Sequence, residues 1–173
     1  MVTRIVVDTN VFVSVLIGQS ESASRELFRQ CLQGKYQPLM GNALFAEYHD
    51  VINRDNIRDL CPLTSIEKTN LLAAFISVCQ WVRVYYLWRP NLLDEADNHL
   101  IELAVAGNAE IIATRNIKDF KRSHPRQSLQ RSVRHKGARQ PRPSRTWKPP
   151  QRAVSQLKFP QLKILEPEEV LNY

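Results

Sequence analysis

Residues 4–12 read RIVVDTNVF. Ile5, Val6 and Val7 form an unbroken apolar run where a half-buried strand would alternate. That pattern suits a strand buried on both faces, as in a parallel sheet. Asp8 follows at once. Sites in parallel sheets form in the crevice beyond the carboxyl ends of the strands, so a carboxylate at this point is a functional candidate. A local reading competes, because Asp-Thr-Asn also suits a turn or the N-cap of a helix.

Outward from this stretch, Leu27, Cys31 and Leu32 are spaced for one helical face that Gly34 stops. YQPLM (36–40) is a weak strand candidate, and NALFAEYHDVIN (42–53) reads as a helix with Asn42 as N-cap. A third helix spans about Thr64 to Gln80, with Leu71, Leu72, Phe75, Ile76 and Cys79 as its apolar stripe. WVRVYY (81–86) nearly alternates and reads as a strand. The helix DNHLIELAVAG (97–107) ends at Gly107, and AEIIAT (109–114) is another buried strand. LKIL (162–165) is a last strand before a short helix opened by Pro167. Strands alternating with helices at this rhythm predict an α/β fold, with a central parallel sheet covered on both faces.

Three acids stand out. On a helix, Asp97 shares a face with Leu100, Ile101 and Ala104, which turns a carboxylate toward the sheet, where an unpaired charge is costly. Its structural alternative is a helix-dipole role at the N-terminus, with Asp94 as cap. Glu47 lies at the edge of its helix's stripe, beside Leu44 and Val51. Alone it reads as a solvated helix acid. Carboxylates brought together from separate elements repel one another and call for a cation, and Mg²⁺ or Mn²⁺ prefers oxygen ligands. Such an ion lowers the pKa of a bound water and steadies charge on a phosphoryl group. Asn10 is placed to orient Asp8 or to make a local turn bond. Ser14 falls in a helix interior, and His49 faces solvent. His99, two residues past Asp97, lies about 200° around the helix and should not share a metal with it.

The segments VVDTNVFVS, the helix carrying Glu47, DEADNHLIELA and IIATRNIKDF, in that order, resemble a PIN domain. The likeness is nearest to the branch of toxin components of toxin–antitoxin systems, relatives of the VapC-like ribonucleases. It covers residues 1–122 and 157–173, with 123–156 as an insertion. The resemblance implies a three-layer α/β/α fold and a Mg²⁺- or Mn²⁺-dependent RNA endonuclease. The family's acids fall on Asp8, Glu47 and Asp97, and the Thr of its last motif on Thr114. Where many members carry a fourth acid, this chain has Asn116; Asp119 lies three residues further on. The substitution implies one metal more readily than two, and reduced activity. An antitoxin over the site and a homodimer follow from the resemblance as well.

Charge is unevenly spread. Residues 1–120 hold 11 Lys and Arg against 14 Asp and Glu, whereas residues 121–158 hold 12 Lys and Arg and no acid. Five prolines lie within 123–156 (Pro125, Pro141, Pro143, Pro149 and Pro150), and aliphatic periodicity is lost there. High charge with few core-forming residues predicts disorder. Two readings of the insert stay open: an RNA-binding arm with Trp147 for stacking, or a tolerated insertion without function. No apolar run approaches the roughly 18 residues of a membrane span. The chain opens directly into a strand, so no signal peptide is expected. Cys31, Cys61 and Cys79 are unpaired in pattern, which fits a reducing cytoplasm and argues against zinc or a disulfide framework. A phosphatase with an aspartyl nucleophile would want a second Asp at position 10, where Asn10 stands. A degenerate domain that binds RNA or a protein without cutting remains the main alternative.

Overall fold

β1 (Thr3–Val7) forms the middle of a five-stranded sheet of order β3-β2-β1-β4-β5, in which every pairing is parallel. The computed structural model describes residues 2–18, 22–85, 97–120 and 162–173. β2 (Tyr36–Met40) and β3 (Gln80–Trp81) lie to one side of β1; β4 (Ile111–Ala113) and β5 (Lys163–Leu165) lie to the other. Ile5, Val6 and Val7 are fully buried, as are all three residues of β4. Cover on both faces is why neither strand alternates in polarity.

The helices are α1 (Thr9–Ile17), α2 (Ala23–Leu32), α3 (Asn42–Asn53), α4 (Asp55–Leu60), α5 (Ser65–Val78), α6 (Asn98–Ala106) and α7 (Pro167–Leu171). Right-handed crossovers place helices on opposite faces when the chain reverses its direction across a sheet. It moves outward from β1 to β3, then returns past β1 to β4 through α6. On one face Phe12, Phe28, Tyr48 and Phe75 stack with ring centroids 4.2–5.8 Å apart, tying α1, α2, α3 and α5 together. α6 packs on β1, β2 and β4 through Leu100, Ile101, Leu103 and Ala104, all buried. Its approach is close: a Cβ on Gly107 would lie 2.4 Å from Leu39 Cδ1.

Several boundaries differ from the sequence reading. Gly41, not Asn42, caps α3, and it does so without a side-chain bond. α5 starts after Thr64, whose hydroxyl forms a capping box with Glu67, and it ends at Val78. Gln80 therefore belongs to β3. Among the described residues of WVRVYY (81–85), only Trp81 pairs as strand: Val82 N–H still donates to Met40 O at 2.8 Å, but β2 ends there and Gly41 turns into α3. α4 was not foreseen. α6 begins at Asn98, with Asp97 as its N-cap. No helix among the described residues is long and apolar enough to cross a membrane. Asp94 and the 123–156 segment lie outside the described residues.

Candidate active site at the switch point

Parallel strands deliver all their carboxyl ends to one edge of the sheet. The order reverses between β1 and β4, and the crevice at such a switch point is the expected place for a site. Asp8 leaves β1 there and Thr114 leaves β4 beside it. Asp8 N–H donates to Ala113 O at 2.9 Å, which extends the ladder by one residue and fixes the carboxylate's root.

The side chains of Asp8, Asn10 and Thr114 form a closed set of hydrogen bonds. Thr114 Oγ1 donates to Asp8 Oδ2 at 2.7 Å and accepts from Asn10 Nδ2 and Asn116 N–H, each at 3.0 Å. Asn10 Nδ2 also donates to Asp8 Oδ2 at 2.7 Å, while its Oδ1 accepts from Arg115 N–H at 3.0 Å. One orientation of the Asn10 amide satisfies all of these contacts. Asn10 N–H reaches Asp8 Oδ1 at 3.3 Å, the N-cap bond of α1. Asp8 therefore caps α1, as the local reading expected, and also stands at the crevice beyond β1.

Glu47 comes to the same edge from α3. Its neighbour Tyr48 is fully buried and donates from its hydroxyl to Val7 O at 3.0 Å, pinning α3 to the end of β1. Thr9 Oγ1 lies 3.2 Å from Asp8 Oδ1 and 3.4 Å from Glu47 Oε2, so one hydroxyl spans the two carboxylates. His99 Nε2 stands 3.4 Å from the same Glu47 oxygen. This contact was missed by weighing His99 only against Asp97 on its own helix, when its partner sits on α3.

Asp97 is half-buried at the N-terminus of α6 and makes no side-chain capping bond to the helix. A helix running back against parallel strands starts at their carboxyl edge, and His99, two residues on, touches Glu47. Asn116 is exposed on the turn after Thr114, and Asp119 falls on the 3-10 turn Ile117–Phe120, its side chain outside the described part. His49 is exposed as expected, and Ser14 bonds back to Asn10 O within α1.

Burial pushes the Asp8 carboxyl above its usual range; the bonds from Thr114, Asn10 N–H and Thr9 pull it down, and the Glu47 charge pushes it up again. Burial holds the Cys31 and Cys79 thiols up at about 12, which leaves them inert as nucleophiles. Among the described residues, no three His, Cys, Asp or Glu side chains form a ready-made metal cage. The donor chemistry nevertheless suits Mg²⁺ or Mn²⁺. Mg²⁺ keeps several waters and takes only one or two carboxylates from a protein, and Asp8 and Glu47, joined through Thr9 Oγ1, are two that could hold it.

Fold and site together define a doubly wound α/β domain with paired carboxylates at its switch point. Residues 4–118 match the family model of the PIN domain, and the chain belongs to that family. PIN domains are generally metal-dependent nucleases. A comparison with curated proteins finds no match.

Proposed function

We propose that the protein is a Mg²⁺- or Mn²⁺-dependent endoribonuclease that hydrolyses RNA phosphodiester bonds. The observation that carries this reading is the Asp8–Thr9–Glu47 link at the carboxyl edge of the sheet, braced by Thr114 and Asn10. Asp8, Glu47 and Asp97 are the residues that would hold the ion. When bound, the ion supplies a water of lowered pKa and neutralises charge on the phosphoryl oxygens. Asp8, its orientation set by three side chains, presents a fixed oxygen. Glu47 holds a ligand position or orients the attacking water, with Thr9 steadying its Oε2 and His99 Nε2 3.4 Å away. Thr114 and Asn116 complete the polar rim. No covalent intermediate is required.

Likeness of VVDTNVFVS and DEADNHLIELA to the VapC-like branch supports a further reading, that of a cytoplasmic toxin component. An antitoxin would then cover the site, and a homodimer is expected. Growth arrest on expression, relieved by Asp8→Asn, tests that role. Asn116 favours a second reading, a domain that binds RNA or a protein without cutting it. Incubating the protein with structured RNA in Mn²⁺ or EDTA, beside Asp8→Asn and Asp97→Asn, separates the two. We expect cleavage in Mn²⁺ only, slowed about 100-fold or more in either variant. Cleavage indifferent to both substitutions would sink the metal assignment. Binding without cleavage under any metal would favour the second reading.

A further inference from the structure

A cavity of about 550 Å³ opens beside Glu47, between the first turn of α3, the chain leaving β3 and the inner side of α6. Its size falls within the roughly 300–1,000 Å³ of small-ligand sites. His99 belongs to both places, lining the cavity while its Nε2 meets Glu47 Oε2. The rim is aromatic. Trp81 is 47% exposed although it ends a strand, and Tyr85 is 78% exposed. Exposure of two large rings, four residues apart and lining one cavity, is unfavourable unless something covers them. Trp81 is not loose: the Phe45 ring meets it edge-on at 5.8 Å, which fixes its plane and leaves the rest of the ring open. Arg83, between the two rings in sequence, is also exposed and lines the same cavity. Deeper in the wall lies Glu102, only 6% exposed.

We propose that this cavity is a nucleobase pocket that takes the base of a nucleotide adjoining the scissile phosphate. The inference rests on the ribonuclease reading for its neighbour at Glu47, but it concerns binding and not the chemical step. Trp81 is the stacking platform and Tyr85 the outer cover. Arg83 meets the flanking phosphate, which residues 1–120, net acidic, would otherwise repel. Stacking on an aromatic face serves any base; Asn42, a polar group of the wall, offers hydrogen bonds to its edge. Single-stranded RNA suits this arrangement and a duplex does not, because a base must leave its stack to enter.

The test is equilibrium binding of the full chain, in EDTA, to short single-stranded oligoribonucleotides. A single abasic site is moved through the oligonucleotide one position at a time, which removes a base without altering charge. The wild type is expected to lose affinity about tenfold or more at one position. Trp81→Ala loses a similar factor with the intact oligonucleotide and nothing further with the abasic one. Trp81→Phe keeps most of the affinity, and thermal melting checks that each variant is folded. The control Leu60→Ser, on a remote exposed side chain, binds as the wild type does. Equal affinity of Trp81→Ala and wild type, or an abasic penalty that persists undiminished in Trp81→Ala, overturns the pocket. Absence of RNA binding overturns it too. Cleavage measured in parallel with Mn²⁺ keeps the failures apart. Cleavage with no base-dependent binding removes the pocket alone; base-dependent binding with no cleavage removes the nuclease reading alone.

Discussion

Asp8 accepts hydrogen bonds on both oxygens while buried to 5% exposure, and Thr114 carries much of that arrangement. Thr114→Val keeps the shape but removes one donor to Asp8 and the shared acceptor for Asn10 Nδ2 and Asn116 N–H. Two donors then lose a partner, at about 1–3 kcal/mol for each one left buried. We expect a lower urea midpoint and RNA cleavage slowed by about one order of magnitude or more. A second prediction follows from the raised Asp8 carboxyl. Its pKa is higher folded than unfolded, so between those two values the folded chain binds more protons. The stability this contributes is full below the unfolded pKa and is lost as pH rises through the folded one. Metal-free protein should therefore lose urea stability as pH rises out of the ordinary carboxylate range, and Asp8→Asn should lose less. A divalent ion, which needs the ionised form, should restore stability at the high-pH end in wild type only. At this scale the sequence was legible where a residue's neighbours in the chain reveal its setting. Asp8 followed a buried run. Asn10 was ambiguous and the contact of His99 was missed because their partners lie 104 and 52 residues away, on β4's exit and on α3.

Among the elements, β1, β4 and α6 could be read from the chain because burial on one pattern of faces imposes one pattern of side chains. β3 could not be measured so easily. WVRVYY has strand composition throughout, yet a strand lasts only as long as its partner, and β2 ends at Met40. α4 is six residues long, too short for a periodic signal to rise above its surroundings. The contact of α6 with β2 is the element that most directly positions the site, since it sets where Asp97 and His99 stand. Gly107 makes that contact possible: a methyl group there would meet Leu39 Cδ1 at 2.4 Å and Val82 Cγ2 at 3.1 Å. Its φ of −94° suits any residue, so the constraint is space and not backbone conformation. Gly107→Ala should destabilise the protein by about 1 kcal/mol or more through overpacking. Leu39→Val removes the clashing methyl. Combined with Gly107→Ala it should recover part of the loss, giving a favourable coupling in a double-mutant cycle. Strict additivity of the two would refute the steric account.

For the molecule as a whole, the described residues close the sheet without reference to the basic segment. β5 pairs with β4 over Lys163–Leu165, and Thr114 N–H donates to Leu165 O at 3.0 Å, so the far edge of the sheet is tied to the site itself. The sequence located this return correctly, at LKIL, because apolar pattern resumes there. What it left open was the role of residues 123–156, since composition reports what a segment cannot pack but not what it binds. Deleting that segment tests both readings of it. It shortens the connection between Phe120 and Leu162 from 41 residues to seven. Composition predicts disorder for this segment, and closing a loop of that kind costs about (3/2)RT ln n, so the shorter connection should stabilise the domain by about 1–2 kcal/mol. Urea unfolding measures this directly, and a loss of stability would mean that the segment packs into the domain. RNA affinity against salt gives the other half. An arm whose cations neutralise phosphates raises the steepness of that dependence by about 0.7–0.9 per contact. The insertion reading expects the same slope and the same cleavage rate before and after deletion. A shallower slope after deletion, with cleavage at saturating RNA unchanged, would assign the segment to substrate capture and not to the chemical step.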